Sequence, residues 1–232
     1  MFTDKAIIVT GAAGNVGSAV ARLLAARGAR VAAVDLAAPA LAALIQTLDT
    51  PNRHLPLPGV DLTVPAACDT LVAQVRQSFG RLDGVATTVG GFAMSKLADT
   101  GPDAWDAMFS LNVKTTWNIY RAAVPVLREG GGGSLVGIGS AAGLHGSGQM
   151  APYAATKSAV MRLTESLADE LRPDNIRVNA VLPTTIDTPQ NRAAMPQANT
   201  SRWVTPAQVA EAILFLLSDA ASGVSGALLP VG

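Results

Sequence analysis

Three polar side chains in the middle of the chain have the types and spacing needed to transfer a proton. Tyr153 lies thirteen residues after Ser140 and four residues before Lys157, in a chain with only two tyrosines. On a helix, Tyr153 and Lys157 share one face, and a nearby ammonium is expected to lower the phenol pKa from about 10. Ser140 ends a predicted strand, where its hydroxyl could hold the substrate oxygen that Tyr153 protonates. Taken singly, each residue also fits an ordinary structural role.

A glycine-rich turn after the first predicted strand indicates a nucleotide site. Glycines 11, 14 and 17 stand between an apolar run and an Ala-rich helix, and they permit close approach of a pyrophosphate to the free N–H groups of the helix. Asp35 ends the next predicted strand, near the spacing typical of an acid that binds a ribose 2′-hydroxyl. Because residue 36 is Leu and a carboxylate repels the 2′-phosphate of NADP, the sequence predicts NAD. A structural turn with a solvated aspartate is the alternative.

The elements that must position these residues alternate regularly between strands and helices. The predicted strands are 6–10, 30–35, 55–61, 82–89, 133–140, 176–183 and 227–231. The predicted helices lie near 16–27, 40–48, 65–79, 103–128, 152–171 and 206–218. Short connections in such a pattern predict an α/β fold, a Rossmann-type doubly wound parallel sheet of about seven strands with helices on both faces. We expect one domain over residues 1–232, with an irregular substrate lid at about 184–205.

Composition excludes several classes of function. The 232 residues carry 17 basic and 17 acidic side chains, so no basic field is expected to hold nucleic acid, and nothing favours a membrane surface. The single cysteine, Cys68, suits a reducing compartment, and two histidines argue against a zinc site, so no metal is expected. The N-terminus lacks the apolar run of a signal peptide, and the apolar run at 212–217 is too short to span a bilayer. A cytoplasmic protein is expected.

Several motifs together resemble the short-chain dehydrogenase/reductase family over nearly the whole chain. The family's YxxxK matches YAATK, with its serine at Ser140, and its active-site asparagine matches Asn112 in LNVKTTW. The stretch RVNAVLPT and the tail FLLSDAASGVSGALLPVG match further family segments. By resemblance, Asn112 maintains a helix irregularity and a water that relays protons to Lys157, and Lys157 also reaches the nicotinamide ribose.

The resemblance implies an NAD(H)-dependent oxidoreductase that interconverts a secondary alcohol and a ketone by hydride transfer, with Tyr153 as the acid/base. The residues expected to contact the cofactor are Gly11, Gly14, Asn15, Val16, Gly17, Asp35, Leu36, Asp61, Leu62, Thr88, Val89, Gly90, Tyr153, Lys157, Pro183, Thr185 and Ile186. The substrate pocket is expected to include Gly91, Phe92, Met94, His145, Gln149 and Arg192. A homodimer or homotetramer is expected, formed through helices 103–128 and 152–171.

Three departures from the family pattern leave alternatives open. The glycine spacing of TGAAGNVG is more like the extended branch, although the chain length fits the short branch. TTVG replaces NNAG, so Thr87 is expected to do the asparagine's structural work, and Thr184 replaces a glycine.

The VGGF stretch is slightly similar to dihydropteridine reductases, which suggests one alternative function. A non-catalytic NAD-sensing or scaffold protein is the other alternative, although the intact Ser140, Tyr153 and Lys157 set weighs against it.

Overall fold

Seven short strands form one parallel sheet in the computed structural model, which describes residues 2–232. The strands are β1 (Ala6–Thr10), β2 (Arg30–Asp35), β3 (Leu55–Pro58), β4 (Gly84–Thr87), β5 (Gly133–Ile138), β6 (Ile176–Pro183) and β7 (Leu228–Val231). Their order across the sheet is β3-β2-β1-β4-β5-β6-β7, and every neighbouring pair is parallel. Every residue of β1 and β4 is buried, which explains why these strands read as continuous apolar runs.

Eight α-helices flank the sheet in the described part of the chain. They are α1 (Asn15–Ala26), α2 (Ala38–Gln46), α3 (Pro65–Phe79), α4 (Pro102–Phe109), α5 (Thr115–Glu129), α6 (Ala151–Glu170), α7 (Pro189–Ala194) and α8 (Pro206–Leu217). One apolar cluster joins α1, α2 and α8 to one face of the sheet, and a second joins α3, α5 and α6 to the other. The predicted doubly wound architecture is therefore confirmed. None of the helices in residues 2–232 combines the length and apolarity needed to cross a membrane.

The direction of winding reverses between β1 and β4. The chain passes outward from β1 through β2 to β3, then returns to β4 and continues outward through β5, β6 and β7. In such sheets a crevice opens beyond the carboxyl ends of the strands at the point of reversal, and ligands bind there. The glycine turn follows β1 and the segment 88–90 follows β4, so both of these predicted cofactor segments lie at this crevice.

Element boundaries differ from the sequence prediction mainly at the carboxyl ends of strands. Strands β3, β4 and β5 end two or three residues earlier than predicted, because their last residues leave the hydrogen-bonded ladder toward the crevice. The predicted helix 103–128 is interrupted by a π-helical segment, Ser110–Lys114, between α4 and α5. The predicted irregular lid contains α7, whose first residue is a proline and whose cap is Thr188.

Candidate active site

The glycine turn after β1 leaves the N-terminus of α1 open to an anion. Gly11 has φ +63°, and a Cβ at Gly17 would lie 2.1 Å from the Gly11 carbonyl oxygen, so the chain turns too tightly for side chains here. Helix α1 has no side-chain cap, and the backbone N–H groups of Asn15, Val16 and Gly17 find no acceptor within residues 2–232. Unpaired N–H groups at a helix N-terminus are a ready phosphate site, so the turn fits the pyrophosphate of a dinucleotide.

Asp35, at the end of β2, stands at the rim of the glycine turn. Its Oδ2 accepts a hydrogen bond from Ala13 N at 2.9 Å, and its Oδ1 accepts one from Ala37 N at 2.9 Å. The described partners of this carboxylate are therefore backbone amides rather than cations. The neighbouring Leu36 side chain is 67% exposed and offers no charge to a phosphate.

The loop after β3 presents a second carboxylate near the same crevice. Asp61 Oδ1 accepts from Thr63 N at 2.8 Å and from Thr63 Oγ1 at 2.7 Å, and these bonds hold the pKa of Asp61 below its usual range. Leu62 is buried, and its carbonyl oxygen accepts from Asn118 Nδ2 at 2.9 Å. Asn118, on α5, thus anchors this loop, and the sequence analysis did not single it out.

The two threonines at the end of β4 have different partners because successive residues of a strand point to opposite faces. Thr87 Oγ1 lies 3.5 Å from the hydroxyl of Tyr120 on the α5 face of the sheet. Thr88 Oγ1 donates to Thr10 O at 2.7 Å and lies 3.3 Å from Gly11 O. The side-chain contact with the glycine turn is therefore made by Thr88, directly after β4, whereas Thr87 faces α5.

Lys157 is buried at the centre of the crevice. Its side chain is 5% exposed, Nζ donates to Ile138 O at 3.0 Å, and Nζ lies 5.8 Å from the centre of the Tyr153 ring. Burial lowers the pKa of Lys157 to about 8. Gly90 lies so close to Lys157 Nζ and Asn112 Oδ1 that a Cβ there would sit 3.3 Å and 3.0 Å from these atoms. The predicted catalytic groups and the segment after β4 therefore meet in one place.

Tyr153 is neutral in this environment at physiological pH. Burial raises the pKa of Tyr153, and an interaction with the Ser140 side chain lowers it by less. The expectation that the Lys157 ammonium lowers this pKa was wrong, because the cost of burying a phenolate is larger. Ser140 is itself buried, and its Oγ accepts from Ala142 N at 3.1 Å.

Asn112 lies in the π-helical segment Ser110–Lys114, so the expected helix irregularity occurs at this residue. Its amide pairs with the backbone of Gly91: Oδ1 accepts from Gly91 N at 2.8 Å, and Nδ2 donates to Gly91 O at 3.1 Å. Nδ2 also donates to Thr156 Oγ1 at 3.1 Å. Asn112 therefore ties the loop after β4 to α6, one residue before Lys157.

Phe92 is the predicted pocket residue that contacts the phenol of Tyr153. Its ring meets the Tyr153 ring edge-on, with centres 4.9 Å apart and planes at 84°, and the Phe92 side chain is 56% exposed. An exposed aromatic ring beside a half-buried phenol gives the site an apolar wall. Three other predicted pocket residues are exposed on the loops that follow β4 and β5. They are Met94, His145 and Gln149.

The lid begins directly after Pro183, the last residue of β6. Its base is closed by a parallel bridge between Ile186 and Val204, with Val204 N donating to Thr185 O at 3.0 Å. Thr185 and Ile186, both expected to contact the cofactor, thus lie where the lid joins the sheet. This base fixes the two ends of the lid relative to the crevice.

The lid itself is held by polar contacts. Arg192 Nη2 donates to Asp187 Oδ2 at 2.7 Å, so this guanidinium is engaged within the lid rather than free to meet a substrate carboxylate. Asn15 Nδ2, in the glycine turn, donates to Gln190 Oε1 on α7 at 3.0 Å. The lid therefore contacts the predicted pyrophosphate site. Gln190 was not singled out from the sequence.

Two further titratable side chains, those of His54 and Cys68, are buried and have structural partners. His54 Nδ1 accepts from Val31 N at 3.1 Å, and its Nε2 lies 2.8 Å from Asp49 O. Burial raises the pKa of the Cys68 thiol to about 11, so this thiol is unreactive. Within residues 2–232, no three His, Cys, Asp or Glu side chains cluster in a way that could hold a metal ion.

Comparison with known proteins places this site in a family. A family model described as enoyl-(acyl carrier protein) reductase matches residues 11–232. The 3-oxoacyl-(acyl-carrier-protein) reductase FabG of Thermotoga maritima is 33% identical, over 98% of this chain and 96% of its own. The chain belongs to the short-chain dehydrogenase/reductase family.

Solved structures of short-chain dehydrogenases/reductases have the same architecture. A member from Mycobacterium ulcerans is 33% identical with a TM-score of 0.93, covering 99% of this chain and 89% of its own. NAD+-bound xylitol dehydrogenase is 26% identical with a TM-score of 0.92, covering 99% of this chain and 98% of its own. As a short-chain dehydrogenase/reductase, the protein is an oxidoreductase of a family that binds a nicotinamide cofactor.

Proposed function

We propose that the protein is an NAD(H)-dependent oxidoreductase that interconverts a secondary alcohol and a ketone. The observation that carries this proposal is the meeting of Ser140, Tyr153 and Lys157 at the same sheet edge as the open N-terminus of α1. A dinucleotide that extends from the glycine turn toward the segment after β4 would bring its reactive end to Tyr153. A protein that only senses the nucleotide has no use for a phenol placed between a hydroxyl and an amine.

Proton transfer is the task of Tyr153 in this proposal. Bound nicotinamide would supply or accept the hydride at the substrate carbon. In reduction, the Tyr153 O–H bond breaks and the proton passes to the carbonyl oxygen, which gives the alcohol. In oxidation, the phenolate of Tyr153 takes the proton of the substrate hydroxyl, and Ser140 Oγ holds the substrate oxygen in both directions.

The environment of the site supports these roles. Because burial raises the pKa of Tyr153, the phenol is protonated at neutral pH and ready to donate in reduction. Lys157, held against Ile138 O, supplies the positive charge that favours the phenolate when the phenol loses its proton. The pKa of Lys157, about 8, lets this side chain regain a proton from solvent near neutral pH.

Asp35 supports NAD as the cofactor. Its carboxylate faces the glycine turn with backbone amides as partners, so a ribose diol could donate to it, whereas a 2′-phosphate would meet a like charge. The exposed Leu36 provides no compensating cation. The NAD+-bound state named for the similar xylitol dehydrogenase is consistent with this choice.

We also propose a cytoplasmic homodimer or homotetramer that acts on a small-molecule alcohol or ketone. Trp105 on α4 and Trp117 on α5 are 41% and 45% exposed, which is unusual for such large apolar rings. A groove of about 200 Å³ runs between α5 and α6, with Trp117, Val124 and Leu167 among its lining residues. An oligomer through these helices would cover both features, and light scattering at micromolar concentration tests it.

A nicotinamide absorbance assay tests the proposed activity. The wild type is assayed with NAD and alcohols, and with NADH and ketones, alongside Tyr153→Phe as the matched inactive control. Turnover by the wild type that is lost in Tyr153→Phe supports the proposal. Nucleotide binding without turnover on any substrate favours the sensor or scaffold alternative, and turnover of a dihydropterin alone favours the dihydropteridine-reductase-like alternative.

A further inference from the structure

The turn that carries Ser140 is fastened to α6 at two points. Before the turn, Ile138 O accepts from Lys157 Nζ at 3.0 Å. After it, Gly143 O accepts from Ser158 Oγ at 2.6 Å. Ser140 lies between these two carbonyls, so the two side chains on α6 fix its position from both ends.

Hydrogen bonds within the turn make Ser140 move with Gly143. Ser140 is the N-cap of the 3-10 turn Ala141–Gly143, and Gly143 N donates to Ser140 O at 2.9 Å. Ala142 N donates to Ser140 Oγ at 3.1 Å, which orients the hydroxyl itself. A displacement of Gly143 from α6 is therefore passed to the Ser140 side chain.

The turn also touches the backbone of α6 directly. A Cβ at Gly143 would lie 3.0 Å from the carbonyl carbon of Lys157, 3.0 Å from Ser158 N and 2.9 Å from Met161 Sδ. Two of these three neighbours are backbone atoms of a helix, which cannot yield as a flexible side chain can. Glycine at 143 is thus needed for the carbonyl of the turn to reach the Ser158 hydroxyl.

We propose that Ser158 is a positioning residue, whose hydroxyl holds the Ser140 turn at the distance from Tyr153 that proton transfer requires. This inference rests on the proposed function. Tyr153 and Ser158 are carried on the same helix, whereas Ser140 is carried on the turn, so the hydroxyl of Ser158 joins the two parts of the catalytic set. Ser158 itself touches neither substrate nor cofactor in this proposal.

The phenol of Tyr153 provides a reporter for this arrangement. The Ser140 side chain lowers the pKa of Tyr153 against the larger effect of burial. If Ser140 moves away, the opposing interaction weakens and the pKa of Tyr153 rises further. The only other tyrosine, Tyr120, is 2% exposed and its pKa is raised more strongly, so phenolate absorbance in the alkaline range reports first on Tyr153.

The test compares Ser158→Ala with Ser158→Thr, which keeps the hydroxyl, and with Thr70→Ala as a matched control. Thr70 Oγ1 donates to Ala66 O on α3, so its loss removes a side-chain hydrogen bond far from the turn.

We expect Ser158→Ala to reduce kcat about tenfold with unchanged NAD affinity, because small displacements of a catalytic group strongly reduce the rate of the reaction. Ser158→Thr is expected to restore kcat, and Thr70→Ala to leave it at the wild-type value. Gly143→Ala, which forces the turn outward, is expected to act in the same direction as Ser158→Ala.

Ultraviolet titration of the phenol is the second measurement, and it needs no substrate. We expect the Tyr153 midpoint to move to higher pH in Ser158→Ala and to return in Ser158→Thr. An unmoved midpoint in Ser158→Ala overturns the positioning role, whether or not kcat falls, and so does a loss of kcat that Thr70→Ala reproduces. If the wild type turns over no substrate, the proposed function fails, and the titration alone still decides the role of Ser158.

Discussion

The two sides of the proposed site differ in the groups they present: backbone N–H groups at the nucleotide side, and side chains at the β5–α6 side. At the β1–β2 side, the cradle consists of backbone N–H groups and glycines, with Asp35 held by backbone amides at its rim. At the β5–α6 side, the proposed chemistry depends on the side chains of Ser140, Tyr153 and Lys157, and burial shifts the pKa values of Tyr153 and Lys157. In the glycine turn, an added side-chain atom would displace the backbone. On the β5–α6 side, replacing a side chain would remove the functional group itself. Substitutions on the two sides are therefore expected to fail in distinguishable ways.

The largest effect is expected on the catalytic side, for Tyr153→Phe. This change removes the transferable proton and leaves the ring in place, so kcat is expected to fall by about 10²- to 10⁴-fold. The NAD dissociation constant, measured by titration calorimetry, is expected to stay near that of the wild type. Retention of more than about a tenth of kcat would falsify the proton-transfer role.

On the nucleotide side, Gly17→Ala is expected to reverse this pattern. The added Cβ would meet the Gly11 carbonyl oxygen at 2.1 Å, so the turn must open, and strain of about 1–3 kcal/mol corresponds to a loss of NAD affinity of about five- to 150-fold. Gly223→Ala is the matched control, because a Cβ there has nothing within 4 Å. If calorimetry finds equal NAD affinity in the two variants, the glycine turn does not bind the pyrophosphate of NAD as proposed.

Asp35→Ser is expected to change cofactor choice with little effect on the chemistry. A hydrogen bond to a charged group contributes about 1.5–3 kcal/mol, so the preference of the wild type for NAD over NADP in kcat/KM should be at least about tenfold. Asp35→Ser is expected to narrow this ratio, and adding Leu36→Arg to narrow it further. Equal use of NADP by the wild type would mean that Asp35 does not contact the ribose.

The smallest expected effect is the pH dependence of the oxidation and reduction rates. Because burial raises the pKa of Tyr153, oxidation, which needs the phenolate, is expected to accelerate as pH rises above neutrality. Reduction, which needs the protonated phenol, is expected to stay nearly constant until the pH approaches the raised pKa of Tyr153, whereas the oxidation rate changes by at most about tenfold per pH unit. Stopped-flow rates in both directions check this, and parallel pH profiles for the two directions would argue against Tyr153 as the titrating group.

Much of the site could be predicted because its signals are local in the sequence. The glycine turn, Asp35 at the end of β2, and the spacing of Tyr153 and Lys157 each lie within one or two adjacent elements, so short-range periodicity indicates them. The helix predicted near 206–218 is observed as α8, which begins at Pro206 with Thr205 as its cap. The sheet and its winding follow from the same alternation of strands and helices.

Contacts between distant segments were decided only by the tertiary structure. Thr88 rather than Thr87 meets the glycine turn because the pleat of β4 directs one side chain to each face, and the register of β4 against β1 sets which one. Asn118 and Gln190 contact the predicted cofactor segments from 56 and 175 residues away, with no local pattern to mark them.

The sequence by itself determined which groups form the proposed site: a phenol, an amine, a hydroxyl and an open helix N-terminus. The protonation behaviour of these groups was left to the tertiary structure, because burial depends on how β5, α6 and the loop after β4 pack together. Packing buries Lys157 and lowers its pKa to about 8, and it raises that of Tyr153 where the spacing alone suggested the opposite. Desolvation is a property of the folded surroundings, and no short sequence motif encodes it.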